Sequence, residues 1–331
     1  MFKKLTCLII FFAGLFVWAQ VSVMSVTDED KHTSKEDFYH TFEYYVSSPG
    51  QKTAKCQATR INKRWFATAA HCVQSLCKKQ CTLQIDLLEY NTSAIAIVEH
   101  PAKNERSAKK TPTVFIHPGF SMEVFAKDDL ALIRADLRHT PLIYYTRSTN
   151  PNSPHQGISK EAFEAFLEKN RRAKSKYNRV MKPSFPPILV FDEGNYLLDR
   201  KLSVISIFDG KREVKLNPNP VYYLKALGYA FTNNFGIRKG MSGSGVMTNT
   251  GELAGIISAN MDLWYKQGNQ KKQELNYFVF PVFNTSLVSF MRDTMGSDFD
   301  QVEQKDAYPY AVSKTRKDFS ALIPVLKSFS K

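Results

Sequence analysis

The sequence predicts an all-β chain in two strand-rich halves, separated by a helical insertion and followed by a short C-terminal helix. Three observations carry this. Short segments rich in Val, Ile, Thr and aromatics, each bounded by polar residues, recur from about 54 to 134. The same pattern returns from about 187 to 283. Between the two halves, residues 148–186 lose the strand pattern and take on a helical one. Strands at this spacing suggest a β barrel or a sandwich.

The elements follow in chain order. Residues 1–19 read as a cleavable secretory signal. Lys3 and Lys4 give a positive start, residues 5–18 are an almost unbroken apolar run, and Val17-Trp18-Ala19 offers a cleavage site after Ala19. The run falls short of the roughly 20 apolar residues of a membrane span, so no transmembrane span is expected after cleavage. The expected location is secreted or periplasmic. Residues 20–45, centred on Asp28-Glu29-Asp30-Lys31, form a polar lead-in. Strands are expected at 54–61, 64–70, 82–89, 93–99 and 129–134. The loop TNPNSP opens the insertion, and a helix follows over residues 158–181. Ser159 is placed to cap that helix, Phe163, Phe166 and Leu167 share one face, and the C-terminal half is basic, which suits the helix dipole. Phe185-Pro186-Pro187 stops it. Strands resume at 187–192, 202–208, 221–231, 244–248, 252–258 and 275–283. Residues 286–295 predict a short amphipathic helix, with Leu287, Phe290 and Met291 on one side and Gly296 as its stop. The main domain is thus expected at 46–296, with 297–331 as an extension.

A chain of 331 residues that is 43% hydrophobic has the material for a large core and is not disordered in composition. Lys and Arg number 45 against 31 Asp and Glu, a formal charge of +14 that falls to +12 when the two signal lysines leave. Such a balance permits an anionic surface as a partner but selects no specific nucleic acid. Cys7 leaves with the signal. Cys56, Cys72, Cys77 and Cys81 remain, an even number in an exported chain, which predicts two disulfides among three pairings. A metal site is disfavoured, because the histidine closest in sequence, His71, has another use. No cofactor is expected.

Three motifs carry chemistry. In FATAAHC (66–72) a histidine follows a strand ending in small residues and precedes a cysteine. Cys56 lies sixteen positions before Cys72 on the preceding strand. A hairpin of that length brings the two side by side, because antiparallel partners lie about 5 Å apart. Cys56–Cys72 would pin the backbone beside His71, and Cys77–Cys81 then follows by elimination. In GMSGSG (240–245) flanking glycines let the chain turn tightly and expose the Ser242 hydroxyl. The backbone N–H groups of Gly240 and Ser242 can then point at one spot and hold an oxyanion. In KDDLALIRAD (127–136) an acidic residue starts an apolar strand, a costly placement unless the carboxylate is paired. Asp129 beside a histidine would orient the ring, with Asp128 as the runner-up.

TAAHC, then IHPGF (116–120) leading to DLAL, then GMSGSG, in this order, resemble the His, Asp and Ser blocks of the chymotrypsin-like serine peptidases. The resemblance covers roughly residues 46–296. It implies two six-stranded antiparallel β-barrels, a base at His71, an orienting carboxylate at Asp129 and a nucleophile at Ser242. It also implies oxyanion donors at Gly240 and Ser242. Cys56 sits where that family places the partner of the cysteine after the histidine. Leu253 to Ser258 resemble the strand that lines the substrate backbone, which makes Ser258 a substrate-binding candidate. Met241 stands where animal digestive members carry an aspartate, no Ile-Val-Gly-Gly start lies upstream, and Ser244 replaces a glycine. The chain therefore resembles bacterial members, such as the glutamyl endopeptidases, more than animal ones. Counting back from Ser242 places the base of the primary pocket near Gly236 and Ile237. No acid sits there, so strict Lys/Arg cleavage is not expected. The histidine of glutamyl-specific members falls near Ile257, which leaves a neutral or apolar preference. The expected function is an exported serine endopeptidase acting on protein or peptide substrates. The alternative is a catalytically silent relative that attaches to anionic surfaces.

Overall fold

Phe42, Tyr44 and Val46 alternate along strand β1 (Thr41–Ser47) and are wholly buried, which makes this strand the keel of the first lobe. The structure is a computed structural model. It describes residues 40–47, 54–74, 82–86, 92–99, 113–121, 127–137, 142–146, 156–181, 184–192, 196–198, 202–208, 211–217, 221–224, 228–233, 236–267, 270–307 and 311–312. The signal, most of the lead-in, Cys77, Cys81 and most of the C-terminal extension lie outside the described residues. β1 starts inside the expected lead-in, because its buried alternation began before the boundary that composition suggested.

β1 is followed by β2 (Ala54–Arg60), β3 (Trp65–Thr68), β4 (Thr82–Asp86), β5 (Thr92–Glu99), β6 (Thr113–Ile116), β7 (Ala131–Arg134), β8 (Leu142–Thr146) and β9 (Gln156–Ile158). They form one antiparallel sheet in the order β6-β7-β3-β2-β1-β4-β5-β8-β9. Phe42, Tyr44, Phe66, Leu83, Ile85 and Ile133 fill its core. Each such side chain contributes roughly 1.5–3 kcal/mol through burial. The strand expected at 64–70 stops at Thr68, and helix α1 (Ala70–Gln74) begins in its place.

The single helix expected over 158–181 is two: α2 (Lys160–Lys169) and α3 (Arg171–Met181). Asn170 breaks it at φ −119°, ψ 86°. Its Oδ1 accepts from Ala173 N at 3.1 Å, so the side chain satisfies the first turn of the new helix. Ser159 caps α2 as expected, accepting from Ala162 N at 3.2 Å. Phe163, Leu167 and Val180 insert into the first-lobe core, and the Phe163 ring lies 4.5 Å from that of Tyr144. Arg60 Nη1 donates to Val180 O at 2.7 Å. The insertion is a buttress on the first lobe.

The second lobe carries β10 (Ile188–Phe191), β11 (Tyr196–Leu198), β12 (Leu202–Phe208), β13 (Lys211–Asn217), β14 (Val221–Leu224), β15 (Tyr229–Asn233), β16 (Gly245–Thr248), β17 (Leu253–Ile256), β18 (Ala259–Gln267), β19 (Gln270–Pro281), β20 (Phe283–Asn284), β21 (Gln304–Asp306) and β22 (Ala311–Val312). One sheet runs β13-β12-β16-β17-β10-β20, with β21 also on β10, and a second runs β18-β19-β15-β14-β11-β22. β17 leads directly into β18 across Ile257 and Ser258, so the chain itself passes from one sheet to the other. Pairing is antiparallel except where β10 meets β17, β20 and β21. The segment expected as one strand at 221–231 is two, β14 and β15, with Gly228 at φ +69° just before the second.

A third apolar cluster joins the lobes. Trp65, Leu130 and Leu132 from the first meet Ile205, Met247 and Phe283 from the second. Helix α4 (Thr285–Met295), close to the expected 286–295, adds Leu287, Met291 and Met295. Asn284 caps it by accepting from Leu287 N at 3.0 Å. The following 3-10 turn presents Asp298, whose Oδ2 accepts from Trp65 Nε1 at 2.9 Å and whose carbonyl accepts from Asn62 Nδ2 at 2.7 Å.

Candidate active site

The short helix α1 lifts His71 from the end of β3 toward the start of β7. Asp129 waits there, 1% exposed. Its Oδ1 accepts from His71 backbone N at 2.8 Å, and its Oδ2 meets His71 Nδ1 at 2.7 Å. A carboxylate held on two N–H groups fixes both the position of the residue and the plane of the ring. Ser258 Oγ donates to the same Oδ2. Ser258 in turn accepts, through its carbonyl oxygen, the Ser242 hydroxyl at 3.2 Å. His71, Asp129, Ser258 and Ser242 are therefore joined in one hydrogen-bonded chain that crosses from the first lobe to the second. Ser258, expected as a substrate contact, has its side chain committed to Asp129 and is 2% exposed.

The disulfide Cys56–Cys72 closes with the Cα atoms 6.4 Å apart and ties β2 to α1 next to His71. His71 Nε2 lies 3.6 Å from Cys72 Sγ, a packing contact, since a disulfide sulfur carries no hydrogen.

The runner-up Asp128 belongs to a different pair. It adopts φ +55°, which turns consecutive carboxylates in different directions. Asp128 Oδ2 lies 4.0 Å from His117 Nδ1, and His117 Nε2 lies 3.3 Å from Ser286 Oγ. This second Ser/His/Asp grouping has the wrong polarity for activating a hydroxyl. Gly119 N donates to His117 Nδ1 at 3.1 Å, so the ring proton sits on Nε2 and points at Ser286. Burial pushes the His117 pKa down, with Asp128 opposing the shift. The group is a structural network that runs from buried His117 and Asp128 out to exposed Ser286, with the Phe290 ring 5.0 Å from that of His117.

The turn around Ser242 alternates tied and untied donors. Met241 N, Gly243 N and Ser244 N donate to Arg238 O, Ile257 O and Met241 O at 3.2, 2.8 and 3.0 Å. Among the described residues Gly240 N and Ser242 N donate to no protein acceptor. Gly243 is compulsory: at φ +88°, a Cβ there would sit 1.6 Å from Gln57 O. Met241 is wholly buried in the second-lobe core. Such a pair of unclaimed N–H groups beside a hydroxyl can stabilise a developing oxyanion.

The two pocket candidates part company. Gly236 is exposed at φ +101°, and a Cβ added to it would lie 3.2 Å from Lys215 Nζ. The Ile237 side chain is 5% exposed and packs in the second-lobe core, while its carbonyl accepts from Asn260 Nδ2 at 3.0 Å, so it offers no side chain to a ligand. Lys215 and Arg238 share Glu213, at 3.8 and 3.0 Å. Sequence reasoning missed Lys215 because it reaches Gly236 from β13 across the fold. It also missed Gln57, whose neighbours in sequence gave no sign of its partners.

Among curated proteins none matches the chain. Similar solved structures include a scabies mite inactivated protease paralogue, S-I1, at 13% identity and TM-score 0.42, over 79% of this chain and 96% of that one. HL collagenase is similar at 14% identity and TM-score 0.43, over 78% and 94%. GrC is similar at 15% and 0.43, over 79% and 96%. Residues 32–159 match the family model described as Trypsin, a segment that holds His71, Cys72 and Asp129 and ends before Ser242.

Proposed function

We propose that this chain is an exported serine endopeptidase that hydrolyses peptide bonds through an acyl-enzyme intermediate. The observation that carries the reading is the Asp129 carboxylate, which engages His71 through ring and backbone while its partner Ser258 holds the Ser242 hydroxyl. With Nδ1–H directed at Asp129, the ring lone pair of His71 lies on Nε2, which acts as the base. Ser242 Oγ rotates away from the Ser258 carbonyl, gives its proton to Nε2 and bonds to the peptide carbonyl carbon. The carbonyl π pair moves onto oxygen, where the N–H groups of Gly240 and Ser242 receive it. When the intermediate collapses the C–N bond breaks, the amine takes the proton from His71, and an ester to Ser242 remains. Water, deprotonated by His71, attacks that ester, and Ser242 leaves with the proton returned to it.

Export rests on the signal-like residues 1–19 and gives a secreted or periplasmic enzyme. Among the described residues no helix is long and apolar enough to cross a membrane. Within the peptidases the chain is read as nearer to bacterial members, since uncharged Met241 rules out an ion pair at the residue before the nucleophile. The test is labelling of folded mature protein by an active-site fluorophosphonate, with Ser242→Ala as the control. Labelling lost in that variant supports the reading.

The Ser242–Ser258 bond favours a second reading as well. A hydroxyl held by a carbonyl is withheld from a base, as in a silent protease-like module that attaches to anionic surfaces through its mature charge of +12, two lysines below the full +14. Folded protein that resists labelling, yet binds anionic vesicles, would favour this alternative.

A further inference from the structure

We infer that Gln57 is the positioning residue of the loop that carries Ser242, an uncharged lock built into the first lobe. The inference rests on the peptidase reading only for its catalytic consequence. Gln57 is wholly buried on β2, next to the disulfide-bonded Cys56. All four hydrogen-bonding positions of its amide are used. Nε2 donates to Ile207 O at 2.7 Å and to Gly240 O at 3.1 Å. Oε1 accepts from Ile207 N at 2.9 Å and from Ser244 Oγ at 2.7 Å. The paired bonds to Ile207 settle the amide orientation, because the reverse would set an NH₂ group against the Ile207 N–H. The backbone of the same residue adds a further tie, Gln57 N to Ser242 O at 2.7 Å.

One side chain therefore holds the loop on both sides of the Ser242 turn, from Gly240 to Ser244, and ties it to β12 through Ile207. The Gly240 carbonyl belongs to the peptide plane between the two untied N–H groups. Fixing that plane limits how the Gly240–Met241 unit can rotate, and Gly240, at φ +93°, has the freedom to rotate. Neighbouring residues of β2 thus serve both halves of the site. Cys56 fixes the helix of His71, and Gln57 fixes the loop of Ser242. Met241 contributes packing and a weak acceptor to Arg238 N at 3.3 Å, so the directional bonds from β2 side chains come from Gln57 and from Thr59, whose Oγ1 donates to Gly243 O at 3.2 Å.

The test compares wild type with Gln57→Met, which keeps length and volume but makes no amide bonds. Hydrogen exchange of backbone amides 238–244 is measured by mass spectrometry, alongside kcat, KM and the affinity of a peptide boronate. The lock predicts exchange faster by roughly 100-fold in that segment, and faster exchange at Ile207, whose N–H loses its acceptor, since several bonds that restrain local opening are gone. It predicts roughly 100-fold loss in kcat and in boronate affinity, with KM within about threefold. Unchanged exchange at 238–244 overturns the lock. Faster exchange with kcat and boronate affinity retained overturns its positioning role. If Gln57→Met does not fold, Ser244→Ala removes a single strut, and the same segment must exchange faster. If wild type is not labelled by fluorophosphonate the peptidase reading fails, while the exchange measurement still decides whether Gln57 orders the loop.

Discussion

Asp129 serves three donors with two oxygens, and this concentrates the chemistry of the site in one buried carboxylate. Asp129→Asn keeps the size but replaces one acceptor oxygen with an NH₂ group, which favours the wrong His71 tautomer. The expected result is a fall of about 10⁴-fold in kcat with KM little changed, read in steady-state kinetics on a peptide substrate. Charge at single residues also bears on the selectivity expected under the peptidase reading. Lys215 Nζ beside Gly236, with Arg238 close by, disfavours a cationic side chain there, so a peptide library analysed by mass spectrometry should show little cleavage after Lys or Arg. Lys215→Glu should raise cleavage after Lys and Arg. Two further groups set the acid limit of stability. Burial, helped by Arg212 and Arg60, lowers the His40 pKa from 6.5 to about 4, and His40 Nδ1 is buried without a protein partner among the described residues. Above pH 6.5 neither the folded nor the unfolded state protonates His40. As pH falls from 6.5 toward 4 the unfolded state gains the proton first, and stability drops by on the order of 3 kcal/mol. Burial pushes Glu252 up, but hydrogen bonds from Thr248, Thr250 and Lys305 outweigh it and hold the carboxyl down to about 2. Its stabilisation is present above pH 4.5 and is lost as pH falls toward 2. Urea unfolding across this range should show both phases, and His40→Gln should remove the upper one.

At the scale of elements, the insertion and the disulfide each have a defined energetic role. Phe163→Ala empties a site filled against Tyr144 and Tyr177 in the first-lobe core, with an expected loss of about 3–5 kcal/mol in urea unfolding. Removing Cys56–Cys72 by double serine substitution frees a closed loop of sequence separation 16, at a cost of about 3 kcal/mol. The same elements mark what the sequence could reveal. β3, β7, β16 and β17 were legible because they are short, mostly apolar runs. α2 was legible from its cap and its apolar stripe. The break at Asn170 was not, because a polar residue in a polar stretch breaks no hydrophobic period. β18 was not expected and β19 was expected only from 275: QKKQE at 270–274 has no apolar residue, and this hairpin is set by its partner strand rather than by local preference. At the site, His71 and Asp129 were legible because each sits at the edge of an apolar strand. Lys215 and Gln57 were not, because their importance comes from neighbours distant in sequence.

The whole molecule binds its two lobes through interior contacts, and this bears on maturation. The Ser242 loop is tied by Gln57, Thr59, Ser244 and Ile257, and capped by buried Met241. Among the described residues these contacts come from the two lobes themselves, and Met241 cannot receive a charged N-terminus. Order in the loop should therefore be independent of where the mature chain starts, provided β1 is intact at Thr41. Protein beginning at Gln20 and protein beginning at Glu36 are expected to have turnover numbers within about twofold, the scale of ordinary surface changes. Comparing kcat of the two purified forms against one peptide substrate checks this. The opposite outcome has a distinct physical meaning. A rise of tenfold or more on trimming would mean that the acidic run Asp28-Glu29-Asp30 restrains the basic body of the protein by charge. That restraint would weaken as salt screens it, so repeating the comparison at high ionic strength separates an electrostatic propeptide from a change in the loop itself.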